Sequence, residues 1–173
     1  MAGDLRYWLE MYSPEIRSIP AQRVIAASGT AQDYQHVAAP MQALGKLLWA
    51  HLNASAAKSV GPEIVIWGGT YGDMQSFTLE WMIPIAGPIS ATDQIRAYML
   101  PEVPEMGVVR HIGEYEQLGE AFKALTGWLE VHGYERSGNL REVYVHYDQD
   151  CTKNITEVQV PVRKKARFSG AEF

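Results

Sequence analysis

Apolar residues recur at two spacings along this chain, and the change from one to the other occurs twice in the same order. Residues 16–19 and 23–28 read as short extended segments interrupted by Pro20. Over 36–53, Val37, Met41, Leu44, Leu48 and Leu52 fall three or four residues apart, which predicts a helix with one apolar face. Pro40 is tolerated in its first turn, where the amide has no helical partner. Gly61 and Pro62 mark a turn, residues 63–67 a β-branched strand, 68–72 a glycine-rich loop and 76–85 a second strand. The order then returns. Residues 94–100 and 107–112 are extended and separated by a bend over Pro101 to Pro104. A helix carries Leu118, Phe122, Leu125 and Leu129 on one face and is stopped by Gly133. Residues 141–147 and 154–162 close the second round as strands, with a loop at 148–153 between them.

The two rounds align without a gap over 61–85 and 138–162, at a constant offset of 77 (138 minus 61). Gly61 meets Gly138, Asp73 meets Asp150, Glu80 meets Glu157 and Pro84 meets Pro161, while Trp67 falls opposite Tyr144. A period this long indicates a duplicated small domain and not a solenoid. The expected fold is α+β: tandem duplicated strand-helix-strand-strand units with pseudo-twofold symmetry, forming antiparallel sheets with a central cleft. Residues 14–88 are the first unit and 93–162 the second. Residues 1–13, with Tyr7, Trp8 and Tyr12, form an N-terminal extension packing over the domain or a dimer seam, and 163–173 a basic flexible tail.

Alternation then assigns faces. In 76–85, Phe77, Leu79, Trp81 and Ile83 share a face suited to lie beneath a helix, leaving Glu80 and Met82 on the other. In 154–162, Val158 and Val160 lie beneath a helix, and Glu157 and Gln159 face away. Residues 141–147 put Val143 and Val145 on one side and Glu142, Tyr144 and His146 on the other. Val65 and Trp67 are expected on that same helix-free side. If the helix-free faces of the units meet, they enclose a cleft holding Glu80, Glu157, Trp67, Tyr144, Glu142, His146, Met82 and Gln159. Aromatic walls over an acidic floor suit a flat, hydrophobic, cationic ligand, held by stacking and cation–π attraction and matched by a carboxylate. Two neighbouring carboxylates also divide into an acid and a base. In an enzyme, Glu80, Glu157 and Tyr144 would therefore be the catalytic groups.

Charge and composition narrow the partners. A net charge of −5 leaves no basic face for duplex nucleic acid, and the one basic cluster, Arg163 to Arg167, lies in the tail. The single cysteine, Cys151, excludes an intrachain disulfide, and the five histidines lack metal-ligand spacing, so neither a metal nor a cofactor is expected. No apolar run is long enough to span a bilayer and no signal peptide is evident, which makes the cytoplasm the expected compartment.

Three runs carry a resemblance: Gly113-Glu-Tyr-Glu-Gln-Leu-Gly-Glu-Ala-Phe122, Arg141-Glu-Val-Tyr-Val145 and Thr156-Glu-Val-Gln-Val-Pro161. Over roughly residues 14 to 162 the chain resembles the GyrI-like small-molecule-binding family, whose fold also forms the effector-binding domain of AraC-type and MerR-type regulators. The resemblance implies a central drug-binding cleft, with the family's ligand-facing glutamate of the last strand falling on Glu157 and aromatic walls on Trp67 and Tyr144. It implies three functions. The first is a stand-alone binding protein for hydrophobic cationic compounds, monomeric or homodimeric. The second is a hydrolase opening strained, cyclopropane-bearing toxins. The third is a partner-binding inhibitor of a topoisomerase. No helix-turn-helix precedes the domain in this sequence, so direct contact with nucleic acid is not expected.

Overall fold

The computed structural model describes residues 11–68 and 77–166, which leaves the loop expected at 68–72 and most of both termini outside the described residues. Among the described residues, ten strands and two long helices follow in chain order: β1 (Glu15–Ile19), β2 (Gln22–Ala31), α1 (Ala38–Asn53), β3 (Lys58–Ser59), β4 (Glu63–Gly68), β5 (Phe77–Ala86), β6 (Arg96–Leu100), β7 (Val103–Ile112), α2 (Leu118–Val131), β8 (Tyr134–Arg136), β9 (Leu140–His146) and β10 (Ile155–Lys164). Short 3-10 turns at Tyr34–His36 and Tyr115–Gln117 lead into the helices. In α1 the four-residue step of Leu44, Leu48 and Leu52 is the buried stripe, and Pro40 sits in the first turn. In α2 the stripe is Leu118, Ala121, Leu125 and Leu129. Gly133 follows α2 with φ +72°, the left-handed conformation in which a glycine ends a helix without steric cost.

All strand pairings are antiparallel, and the strands form one curled sheet in the order β1-β7-β10-β9-β4-β5-β2-β6. That order is symmetric about its middle. β9 and β4 are neighbours at the centre, β10 and β5 flank them, β7 and β2 come next, and β1 and β6 are the edges. Each edge strand therefore joins the half it does not precede in sequence: β1 pairs β7, and β6 pairs β2.

The symmetry extends to side chains. Gly61 and Gly138 each lie against the proline four residues past the matched glutamate. A Cβ on Gly61 would come 3.4 Å from Pro84 and one on Gly138 2.9 Å from Pro161. The glycine and proline identities between the two rounds are thus packing contacts.

Register shows which face the helices cover. Val65 packs with α1, and Val158 with α2. Both are paired across strands with Glu142, Val65 from β4 and Val158 from β10, so all three project from the same face. Both helices consequently lie on one side of a continuous sheet. The expected apposition of two separate helix-free faces is corrected here: the halves join edge to edge through β4 and β9. The other face carries its own small core of Val24, Ala26, Ile64, Met82, Leu100 and Val143.

Three further boundaries move. β7 begins at Val103, which shortens the expected bend to Pro101 and Glu102. β10 continues through Arg163 and Lys164, paired with Glu135 and Tyr134 of β8, so the first residues of the expected tail are sheet. Arg163 Nε donates to Glu135 Oε1 at 2.6 Å, and Lys164 Nζ sits 3.8 Å from the Tyr134 ring centre. Tyr12, from the expected extension, is buried against α2. Its hydroxyl meets His111 Nδ1 at 2.9 Å while His111 Nε2 lies 3.0 Å from the Glu114 carbonyl. Because a carbonyl only accepts, Nε2 carries a proton in this contact.

Candidate functional site: an aromatic floor between the helices

On the helix side of the sheet, β4, β5 and β9 supply a floor that the helices cover only in part. The cross-strand pairs Glu63 with Tyr144, Val65 with Glu142 and Trp67 with Leu140 set these side chains on the helix side, and Trp81 joins them opposite Val65 from β5. Tyr115, from the turn entering α2, closes the group.

The aromatic rings form a chain. Trp81 and Tyr144 have centroids 5.8 Å apart at 39°, and Tyr115 meets Tyr144 edge-on at 5.6 Å and 78°. Trp67 touches the cores under both helices. Each of Trp67, Trp81, Tyr115 and Tyr144 is half-buried, so part of each ring remains open to solvent.

Two carboxylates sit in this floor, in contrasting environments. Glu142 is buried, and its Oε2 accepts the Tyr144 hydroxyl proton at 2.9 Å. Desolvation pushes its carboxyl above the ordinary range, and the Tyr144 hydroxyl and nearby Trp67 indole N–H offset this only in part. The Trp67 Nε1 is itself buried with no hydrogen-bond partner, so a polar donor lies beside an acid that holds its proton unusually well. Glu63 is instead tied down. Its Oε1 accepts from Trp49 Nε1 at 3.0 Å and its Oε2 from Trp81 Nε1 at 2.5 Å. The Tyr115 hydroxyl is held in its neutral form, first by burial and then by the negative fields of Tyr147, Glu142 and Glu63.

The expected site residues divide between two faces. Glu142, Tyr144 and Trp67 come together, but on the helix side, against expectation. Glu80, Glu157, Met82 and Gln159 lie on the opposite face, as alternation along their own strands requires. The misplacement arose on β9. Alternation separates Val143 and Val145 from Glu142 and Tyr144 as expected, but Val143 belongs to the core of the helix-free face and Glu142 pairs with Val65 on the helix side. Glu157 Oε1 and Oε2 each lie 3.2 Å from Arg17 Nη1, Arg110 Nη2 lies 3.2 Å from Oε1, and Gln159 Nε2 donates to Oε2 at 2.9 Å. Burial alone would raise its carboxyl, but Gln159, Arg110 and Arg17 outweigh it and hold the group below the ordinary range. Glu80 pairs with Arg96 and accepts from the Tyr98 hydroxyl at 2.8 Å, and burial and that bond raise the Tyr98 phenol well beyond its ordinary value.

Glu80 and Glu157 are three strand steps apart, about 14 Å along the sheet, so they do not form a pair. Met82 is fully buried, with its sulfur 3.9 Å from the Tyr98 hydroxyl. His146 is exposed at the end of β9, 3.6 Å from Asp148.

Glu63, Trp81 and Tyr115 were not singled out from the sequence. Trp81 reads as helix-side core from its alternation with Leu79 and Ile83, which is correct as to face. Its partial exposure is a matter of tertiary packing. Among the described residues no group of three His, Cys, Asp or Glu is placed to hold a metal ion, and no helix is long and apolar enough to cross a membrane.

Solved structures share this architecture. EcmrR, in its DNA complex within EcmrR-RPo, superposes with TM-score 0.79 at 18% identity, covering 94% of this chain and 64% of that one. This chain therefore spans just under two thirds of EcmrR. The isolated EcmrR C-terminal domain gives TM-score 0.77 at 20% identity, over 89% of this chain and 99% of that domain. SAV2435 bound to tetraphenylphosphonium gives 0.55 at 13% identity, over 87% and 94% of the two chains. No curated protein matches the chain in sequence. The model of the GyrI-like small molecule binding domain matches residues 12–163, nearly the whole described fold, and the chain belongs to that family.

Proposed function

We propose that the chain binds hydrophobic, cationic aromatic molecules in the gap between α1 and α2, on the floor made by Trp67, Trp81, Tyr115 and Tyr144, with Glu142 as counter-charge. The observation that carries this reading is Glu142. It is a buried acid among half-exposed rings, accepts from the Tyr144 hydroxyl beside the Trp67 indole N–H, and has no cation paired with it among the described residues. Burial penalises its charge, so it holds a proton more readily than an ordinary carboxyl does. A lipophilic cation stacked on the rings would supply the missing counter-charge and draw the proton off. Its apolar surface would be exchanged for aromatic contact, and its charge would meet both the ring faces and the carboxylate.

Tetraphenylphosphonium, the compound bound to SAV2435, is a suitable probe. Calorimetric titration of the wild-type chain should give saturable binding, and Glu142→Gln, which keeps shape and removes charge, should weaken it at least tenfold. Equal affinity in the two proteins would overturn the reading.

A hydrolytic function for the same site rests on one further feature. A carboxyl whose pKa burial raises, as that of Glu142, can give a proton to a departing oxyanion or carbanion, and Glu63 lies diagonally across β4 and β9. Glu63, however, is occupied by two indole donors and is poorly placed to activate water. Binding without turnover is therefore the favoured reading. Unchanged recovery of a cyclopropane-bearing alkylator after incubation would support it, and Glu142-dependent hydrolysis would replace it.

A further inference from the structure

On the helix-free face Arg17, Arg96, Arg110 and Arg141 stand near Glu15, Glu80 and Glu157, and pairing among these described residues leaves one cation over. Arg17 is bonded to Glu15 and Glu157, Arg110 to Glu157, and Arg96 to Glu80. Arg141 has no carboxylate within ion-pairing distance and no hydrogen-bond acceptor among the described residues. Yet it is the most buried of the four, with 8% of its surface exposed.

Its position follows from register. Arg141 on β9 lies between Ile66 of β4 and Gln159 of β10, and its row continues to Glu80 on β5. The curl of the sheet brings Tyr98, from edge strand β6, within electrostatic reach of it, although β6 is four strands away in the sheet order. Glu80 is already engaged by Arg96 and Tyr98, and Glu157 by Arg17, Arg110 and Gln159, so neither is free to turn to Arg141. A guanidinium keeps its charge at any physiological pH and offers five N–H donors in a planar fork. Burying one without acceptors is unfavourable, and the residual exposure shows that solvent reaches it.

We propose that Arg141 anchors a second binding site, on the helix-free face, for a small monocarboxylate. The planar fork matches a carboxylate bidentately. One surplus positive charge suits a monoanion, and the flanking Glu80 and Glu157 disfavour a dianion such as a phosphate monoester. Ile66, Val143 and the Tyr98 ring lie around Arg141 and suit a carboxylate with an apolar or aromatic body. This site does not rest on the cation-binding reading, since Arg141 and Glu142 are consecutive on β9 and project from opposite faces.

The test uses the full chain and benzoate, with benzamide as the neutral isostere and phenyl phosphate as the dianion. Proton–nitrogen NMR follows the guanidinium Nε–H signals. Benzoate should shift the Arg141 Nε–H resonance saturably, and benzamide should not. Phenyl phosphate should bind at least fivefold more weakly. Arg141→Met, which keeps the length of the side chain, should reduce benzoate affinity at least tenfold while tetraphenylphosphonium affinity stays within twofold. Arg141→Lys, a point charge without the fork, should fall between. The proposal is overturned if benzoate fails to saturate, if benzamide binds equally, or if Arg141→Met folds with its circular dichroism intact and binds benzoate as the wild type does. Should Arg141→Met not fold, Arg141→Lys carries the decision, and unchanged benzoate affinity there would count against the fork.

Discussion

Glu142 and Glu157 stand on neighbouring strands, one position out of register, and project from opposite faces of the sheet: Glu142 is paired with Val158, and Glu157 with Val143. One step of register separates an acid beneath aromatic rings from an acid locked between arginines. Glu157→Gln should therefore leave tetraphenylphosphonium affinity within twofold of wild type, whereas Glu142→Gln should lose at least tenfold, about 1.4 kcal/mol. Titration of both variants under one buffer decides it. Loss of affinity in Glu157→Gln alone would return the site to the helix-free face.

Removing Glu157 should instead cost stability. Its partners are half-exposed arginines that water can solvate once released, so the loss is smaller than for a fully buried pair, about 1–2 kcal/mol near pH 7. The sign of the pH dependence follows from its depressed pKa. The contribution is present above the ordinary carboxylate value and disappears as pH falls through the lowered native value. Urea unfolding near pH 7 and at about pH 2 should show wild type and Glu157→Gln well apart at the first and close together at the second.

Glu63 holds two tryptophans with two oxygens, and this gives a sharp test of the floor. Glu63→Gln keeps the shape but has a single acceptor oxygen, so either Trp49 or Trp81 must face an amide N–H donor. The variant should lose about 1–2 kcal/mol of stability. Its tryptophan fluorescence should change in intensity or position, and tetraphenylphosphonium affinity should fall by a smaller factor than in Glu142→Gln. An unchanged spectrum would mean that Glu63 does not organise the rings.

Periodicity made much of this architecture legible. The four-residue leucine step in α1, the three- and four-residue steps in α2, and the alternation in β5 and β10 each placed side chains on their true faces. Glu80 and Glu157 do leave the sheet away from the helices. What alternation could not resolve is a strand buried on both sides. On β9, Val143 and Leu140 are each packed in a core, on opposite faces, so apolarity did not show which side lies under a helix. Nor could local pattern reveal partners set by long-range pairing. Arg17 reaches Glu157 across 140 residues of chain because β1 joins the half of the sheet that it does not precede. Trp67, Glu142 and Tyr144 lie on the other face for the same reason: the β4–β9 pairing joins the halves side by side.

The matched glycines should respond unequally to alanine. A Cβ at Gly138 would sit 2.9 Å from Pro161 Cγ and 3.1 Å from its Cβ, against a ring that cannot rotate aside. At Gly61 the nearest approach to Pro84 is an ordinary 3.4 Å. Gly138→Ala should destabilise by about 1–3 kcal/mol through overpacking, and Gly61→Ala by less than about 1 kcal/mol. Thermal unfolding of the two single variants measures the difference, and equal shifts would show that the β9–β10 end of the domain yields as readily as its counterpart.

The pH dependence of ligand binding follows from the state of Glu142. Burial raises its pKa, so as pH falls from neutrality Glu142 takes up a proton earlier than an ordinary carboxylate does. A permanent cation such as tetraphenylphosphonium does not titrate, so the decline in its affinity on acidification reports the acid beneath it. Affinity should be highest above the raised native pKa and fall toward tenfold per pH unit below it. One proton should be released per cation bound in that lower range, measurable as a buffer-dependent binding enthalpy. Stability should run the other way. Between the unfolded and the raised native pKa the folded state binds more protons than the unfolded one, so Glu142 becomes progressively more unfavourable to folding as pH rises. Glu142→Gln should therefore raise the melting temperature most above the raised native pKa and least in acid, while flattening the pH profile of binding. A variant that flattened neither profile would mean that the raised acid belongs to the fold and not to the ligand.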